Sequence, residues 1–279
     1  MPPITDAFQI TSEWLTQALT RSDALQHGSV DSFEVKSFES NWANNVILRV
    51  RYSSDASGER PPSLFLKMVQ TEVFGPSEVD YYVKDYVALP DAPIPRCYDA
   101  AHSEAPRRYH ILMQDLTETH CAVYDRTVTR GYALALAEAC AALHAHWWGA
   151  DRLQTGGHHL PSESRVLGVD GVAKPGYPVL LDGVKEKFGD KAATDAGDII
   201  DALLPALTDR RTDPSSLTLT HGDLSPGNIL APKQGDRPLY FIDRQPFEWS
   251  HTVWTGTVVN QQKWDKSGPE RIGVIESRR

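Results

Sequence analysis

Two carboxylates and one amide come at the ends of short apolar runs within residues 217–245. Asp223 follows the first run, Asn228 comes five residues later, and Asp243 ends a second apolar run at 239–242. If the runs are neighbouring strands, the three side chains meet at their ends. Such a set suits phosphoryl transfer, because one carboxylate can orient an attacking hydroxyl while the amide and the other carboxylate hold Mg²⁺ on nucleotide phosphates. The alternative is a buried strand–turn–strand in which these residues only form the turn.

The spacing His-Gly-Asp-x-x-x-x-Asn, met by His221, Gly222, Asp223 and Asn228, resembles the catalytic loop of the aminoglycoside phosphotransferase and choline kinase-like superfamily. These are small-molecule kinases with a protein-kinase-like fold. The resemblance implies ATP-dependent transfer of the γ-phosphate to a small-molecule hydroxyl, with Asp223 as base. It also implies that Asn228 and Asp243 ligate Mg²⁺ and that His221 supports the loop.

The fold class implied is α+β and bilobal, with an N-terminal antiparallel sheet plus a helix and a mainly helical C-terminal lobe. Residues 1–116 would form the nucleotide-binding lobe and 117–279 the catalytic lobe. Alternation and apolar periodicity agree with this division. They predict strands at 31–38, 46–52, 64–68 and 107–114 and helices at 11–20, 76–88, 131–148, 178–188 and 194–208.

One lysine, Lys67, interrupts the apolar strand 64–68. An ammonium there is costly unless it is paired or lies on an edge strand that faces water. The helix 76–88 offers Glu78 at the margin of its apolar face, which is formed by Val79, Tyr82, Val83, Tyr86 and Val87. The segment 78–82 resembles the glutamate-containing helix of the superfamily, and this resemblance implies a Lys67–Glu78 ion pair that contacts phosphate, with Glu72 as the reserve partner.

Two further segments are expected to bind the nucleotide. The loop 39–45 offers Ser40 and Asn41 as hydrogen-bond donors to phosphate, although an ordinary hairpin is the alternative. The strand 107–114 leads into a polar connector at 115–127. The resemblance implies that backbone groups at Gln114 and Leu116 bind adenine there.

Length, composition and net charge limit the classes of molecule that the protein is expected to bind. The chain has 279 residues and a net charge of −9, which argues against a nucleic-acid partner and permits a cationic one. The run of aspartates within 190–213 is either a solvated face or an acidic wall for such a substrate. The three cysteines are scattered, which predicts a reduced protein without structural zinc. The sequence shows no basic–apolar leader and no run of 18 apolar residues, so we expect a cytoplasmic protein that does not enter a membrane. Oligomeric state is not predicted.

The chain departs from the superfamily after Asp243. Arg244 and Gln245 replace the Phe-Gly of protein kinases, and 36 residues follow Asp243, where relatives carry several more helices. A shortened C-terminal lobe is thus expected, and with it the alternative of a non-catalytic nucleotide-binding protein. A protein kinase is disfavoured by Gly222 and by the lack of a glycine-rich loop. The acceptor is left open among aminoglycosides, choline-like amines, sterols and sugars.

Overall fold

The computed structural model describes residues 2–39, 43–70, 77–124, 126–149, 171, 174–210 and 217–244. The helices are α1 (Ser12–Arg21), α2 (Ser77–Asp80, continued by a π-helix at Tyr81–Asp85), α3 (Arg130–Trp147), α4 (Tyr177–Phe188) and α5 (Asp190–Arg210). The strands are β1 (Leu25–His27), β2 (Val30–Glu39), β3 (Ala43–Tyr52), β4 (Ser57–Gly58), β5 (Ser63–Val69), β6 (Cys97–Glu104), β7 (Arg107–Gln114), β8 (His120–Ala122), β9 (Ile229–Pro232) and β10 (Tyr240–Phe241). Short 3₁₀ turns lie at Ala7–Gln9 and Lys174–Gly176.

The N-terminal part is built on a five-stranded antiparallel sheet in the order β2-β3-β5-β7-β6. All four strands predicted from alternation are present, and β6 is an additional one. Because β5 is the central strand, Lys67 does not lie on an edge; its Cα is paired with Asn45 on β3 and Ile111 on β7. The predicted α+β fold with an N-terminal antiparallel sheet plus helix is confirmed.

Helix α1 covers one face of this sheet. The Thr11 hydroxyl accepts a hydrogen bond from the Trp14 backbone and so caps the first turn. The predicted apolar stripe of Trp14, Leu15, Ala18 and Leu19 is buried. It packs in one cluster with inward-facing side chains of β3 and β5, and each fully buried leucine contributes about 1.5–3 kcal/mol of transfer free energy.

The predicted helix 76–88 differs from the observed one in its register. Within the described residues it is helical over 77–85, and its second half is a π-helix. Because i→i+5 bonding advances the chain less per residue than an α-turn, Tyr81 and Asp85 turn inward. Val83 and Val87, predicted for the apolar face, are instead 45% and 68% exposed.

The second half combines α3 with a small antiparallel sheet in the order β10-β9-β8. The connector 115–127 was predicted as a linker only, but it contributes β8, which pairs with β9. The first apolar run before Asp223, which contains Leu217 and Leu219, was expected to be a strand. In the described residues it has only a single bridge at Thr218, although both leucines are fully buried.

Helices α4 and α5 pack against each other. A second apolar cluster joins the other face of the large sheet to the helix α3 and to β9 and β10. The lobe boundary at residue 116 stays a prediction. Among the described helices none is long and apolar enough to cross a bilayer.

Candidate active site

The centre of the site is Lys67, whose ammonium lies between two carboxylates. Its Nζ donates to Glu78 at 2.8 Å (Oε1) and 2.9 Å (Oε2), and to Asp243 Oδ1 at 2.7 Å. The predicted Lys67–Glu78 pair is therefore present, and the structure adds Asp243 to it. Glu72, the reserve partner, lies outside the described residues.

The Lys67–Glu78 pair is buried, and burial affects the pKa values of both groups. The side chains of Lys67 and Glu78 are 15% and 4% exposed, whereas that of Asp243 is 41% exposed. Burial alone would lower the pKa of Lys67, but the charges of Glu78 and Asp243 outweigh it and raise the pKa above its usual value. Burial raises the pKa of Glu78, an effect opposed by Lys67. The site thus keeps a fixed cation beside two acidic groups.

Asp243 reaches Lys67 through a strained turn at the end of β10. Its φ is +61°, in the left-handed region that non-glycine residues seldom adopt. Such strain persists when the surroundings fix the conformation, and it is concentrated at functional sites. Next to it, the Ile242 backbone N–H donates to the Asn228 carbonyl at 3.0 Å. The strand end with Asp243 is thereby held against the loop with Asn228.

Asp223 and Asn228 are joined directly. The Asn228 amide Nδ2 donates to the Asp223 carbonyl at 2.9 Å and to its carboxylate Oδ2 at 3.0 Å. Partial burial raises the pKa of Asp223, the Asp243 charge raises it further, and the Asn228 hydrogen bond acts in the opposite direction. The predicted meeting of Asp223, Asn228 and Asp243 is thus found.

His221 is a buried support for this loop. It is 2% exposed, and its Nδ1 accepts the Asp223 backbone N–H at 3.4 Å. Its ring packs edge-on against Tyr81 and Phe241. Burial, assisted by the Arg244 charge, lowers the pKa of His221 to about 3, so the ring is neutral at ordinary pH.

A cavity of about 460 Å³ opens beside Lys67. Its size suits a drug-sized or nucleotide-sized ligand. One end carries the polar group of Lys67, Glu78, Asn228 and Asp243, and the remainder is largely apolar. The apolar part is lined by Phe65, Met113, Leu116, Leu230 and Ile242.

The predicted base-binding residues Gln114 and Leu116 both line this cavity. Asp223 is not among the lining residues and meets the cavity through Asn228. Ser40 and Asn41 lie outside the described residues, so their predicted contacts with phosphate stay predictions.

The donor atoms at the polar end fit a hard divalent cation. Asn228 uses its Nδ2 on Asp223, which leaves its amide oxygen as a ligand. Asp243 gives one oxygen to Lys67 and is partly open to the cavity. Magnesium takes oxygen ligands and usually keeps several waters, so one carboxylate and one amide oxygen suffice beside phosphate. In the described part of the chain, no cluster of three His, Cys, Asp or Glu side chains could hold a metal on its own.

Two residues that support the site were not predicted from the sequence. Tyr109 on β7 donates its hydroxyl to Glu78 Oε2 at 2.5 Å, a third hydrogen bond to that carboxylate. Alternation places Tyr109 on the same face as Ile111, which pairs with Lys67, and this was the available signal. The second is Arg244, which is 3% exposed and pairs with the buried Asp85 at 3.2 Å. A basic residue after a strand gives no sequence signal of burial.

A comparison with protein-family models found no match, and neither did one with curated proteins. Solved structures do show similarity. An aminoglycoside-3'-phosphotransferase of type VIII aligns over 86% of this chain and 78% of its own, with 18% identity and a TM-score of 0.37. An aminoglycoside phosphotransferase from Streptomyces rimosus, in complex with ADP and streptomycin, aligns over 88% and 80%, with 15% identity and a TM-score of 0.46. A variant aminoglycoside 2'-phosphotransferase in complex with GDP aligns over 89% and 76%, with 13% identity and a TM-score of 0.44.

These similar structures are aminoglycoside phosphotransferases. Because these TM-scores are below 0.5, the function proposed below rests on the residues and geometry of this chain.

Proposed function

We propose that the protein is an ATP-dependent phosphotransferase that moves the γ-phosphate to a hydroxyl of a small molecule. One observation carries the proposal. A buried lysine is held by Glu78 and Asp243 at the polar end of an apolar cavity, and the Asp223–Asn228 pair lies beside it. A cation, two oxygen ligands for a metal and a separate carboxylate are the parts that phosphoryl transfer requires.

Each side chain has a distinct role in this proposal. The apolar walls near Gln114 and Leu116 accept the base, and Lys67 contacts the phosphates. Glu78 holds Lys67 in place from the buried side, with support from Tyr109. Asn228 and Asp243 hold Mg²⁺, which when bound neutralises charge on the phosphates. Most of the rate enhancement then comes from alignment and charge neutralisation.

Asp223 is the residue that acts on the acceptor. Its carboxylate accepts a hydrogen bond from the substrate hydroxyl, orients the oxygen toward the phosphorus, and takes the proton late. The raised pKa of Asp223 makes it a better proton acceptor than an ordinary aspartate, while Asn228 keeps it oriented. General-base help of this kind contributes about 10²–10⁴-fold to rate.

The test is an assay of ADP release against a panel of amines, sugars, sterols and aminoglycosides that carry hydroxyls. Wild-type protein should turn over at least one acceptor in a Mg²⁺-dependent way, and Asp223→Asn should lose about 10²-fold or more in kcat while ATP affinity is kept. Full activity of Asp223→Asn would refute the role of that carboxylate. Nucleotide binding without turnover over the whole panel would identify a non-catalytic nucleotide-binding protein instead.

A further inference from the structure

Arg244 links three of the segments that carry the proposed chemistry, those of Glu78, Asp223 and Asp243. It follows Asp243 directly in the chain. Its Nη1 donates to the carbonyl of Ser77, the residue before Glu78, at 3.0 Å. Its Nε donates to the carbonyl of Thr220 at 3.4 Å, in the segment that leads into Asp223.

The charge of Arg244 is balanced by Asp85. The two side chains are 2% and 0% exposed, and Nη1 lies 3.2 Å from Asp85 Oδ2. The Asp85 backbone carbonyl in turn accepts the indole N–H of Trp147 on α3 at 3.0 Å. The guanidinium therefore links α2, the loop before Asp223, the end of β10 and, through Asp85, helix α3.

The π-helix is what brings Asp85 to this position. With continued α-helical phase, the apolar pattern would have turned Val83 and Val87 inward, yet both are exposed while Asp85 is buried. π-Helical turns are rare and occur frequently at functional sites. The irregular turn and the buried pair thus form one arrangement, in which the helix gives up two apolar contacts for an ionic one.

Stability alone does not account for this pair. The desolvation cost of two buried charges is comparable to their attraction, so apolar side chains of similar volume are often as stable or more so. What arginine adds is a rigid, planar set of donors that reaches several acceptors at fixed angles. Here the acceptors lie on two segments: Ser77 and Asp85 belong to α2, which carries Glu78, and Thr220 lies three residues before Asp223.

We propose that Arg244 is a positioning residue, whose contacts with Ser77, Asp85 and Thr220 keep Glu78, Asp223 and Asp243 in register around Lys67. The role of this register in nucleotide binding rests on the proposed function. The positioning itself does not, because it is a property of the chain without ligand.

The decisive variant is the double substitution Asp85→Leu/Arg244→Met, which replaces the ion pair by apolar groups. Arg244→Met alone would remove the cation that balances the buried Asp85 carboxylate and could fail to fold. The double variant should keep a melting temperature within a few degrees of wild type. Its backbone amides at residues 77–85 should nevertheless exchange with deuterium at least ten times faster than in wild type, without nucleotide, while those of α1 are unchanged.

The same variant is then titrated with Mg²⁺ and a non-hydrolysable ATP analogue by calorimetry. We expect affinity at least tenfold weaker than wild type. The matched control is Arg126→Met, because Arg126 also bonds two backbone carbonyls (Pro232 and Gly235) and a carboxylate (Asp236). It should lower the melting temperature and leave both affinity and exchange at 77–85 unchanged.

A double variant with wild-type exchange and affinity would overturn the proposal. If the double variant does not fold, the test uses Arg244→Lys, because an ammonium keeps the charge but not the planar set of donors. Unchanged exchange at residues 77–85 in Arg244→Lys would equally overturn the proposal. If wild type binds no nucleotide but exchange accelerates as expected, the proposed function fails and the positioning role stands.

Discussion

Removing the ammonium of Lys67 should lower the free energy of unfolding, because the buried Glu78 carboxylate beside it loses its cation. Lys67→Met keeps the length and apolar stem of the side chain. It removes two hydrogen bonds to Glu78 and one to Asp243. Asp243 is 41% exposed and can be hydrated, but the Glu78 side chain is 4% exposed and, within the described part of the chain, keeps only the Tyr109 hydroxyl as a hydrogen-bond partner.

The magnitude follows from proton linkage. Burial already raises the pKa of Glu78 in wild type, and loss of its cation raises it further in the variant. The unfolded chain ionises this group above about pH 4.3, so unfolding of the variant releases protons over a wider pH range than unfolding of wild type, with a slope of at most about 1.4 kcal/mol per pH unit. The loss of stability relative to wild type should therefore grow with pH, by at most about 3 kcal/mol between pH 5.0 and 7.5, which lies within the range for broken buried pairs.

The assay is urea unfolding followed by tryptophan fluorescence at the two pH values. The control is Lys67→Met/Glu78→Gln, which removes the ionisable partner and should abolish the pH dependence of the difference. Lys191→Met, which breaks an exposed pair with Asp195, should behave as wild type. An equal loss at both pH values, or none at pH 7.5, would refute the assignment of a buried, uncompensated Glu78.

Three further outcomes are expected from unfolding measurements. His221 is neutral in the fold with a pKa of about 3, so its contribution to the free energy of unfolding is complete above the unfolded pKa of about 6.5 and is lost as pH falls below that value. The stability advantage of wild type over His221→Asn should therefore shrink by about 2 kcal/mol between pH 7.5 and 5.0. A constant difference would contradict this. Gly28 has φ +81°, and an added Cβ would meet the Ala56 Cα at 2.6 Å, so Gly28→Ala should cost about 2 kcal/mol or more, whereas Gly197→Ala in open space on α5 should stabilise by about 0.5–1 kcal/mol. Thr11→Ala should cost about 1 kcal/mol through loss of the α1 cap, and Thr11→Ser should restore most of it.

Alternation and chemical pairing made much of the N-terminal part predictable. The alternation of Tyr109, Ile111 and Met113 predicts the strand 107–114, and β7 has those bounds, although its other face is buried too, at His110 and Leu112. Lys67 was informative because a cation in a buried strand requires a partner. The same reasoning located Asp223, Asn228 and Asp243, whose residue types and spacing are constrained by their shared chemistry.

The incorrect or missing predictions concern features that depend on long-range contacts, which leave no pattern in the local sequence. The π-helical phase after Asp80 goes together with the burial of Asp85 against Arg244, which is 159 positions away along the chain. Strand β8 is short, and its pairing with β9 comes from a distant segment. Tyr109 counts as an ordinary core aromatic until the structure shows its hydroxyl on Glu78. Long-range contacts of this kind override local propensity.

The most direct test of the central claim is a calorimetric titration of wild type and Asp243→Asn with ATP, each with and without Mg²⁺. If the site around Lys67 holds a nucleotide with its metal, wild type should bind ATP more tightly with Mg²⁺, and Asp243→Asn should lose most of that enhancement while retaining metal-free binding. Absence of ATP binding by wild type, or an unchanged Mg²⁺ enhancement in Asp243→Asn, would contradict the account.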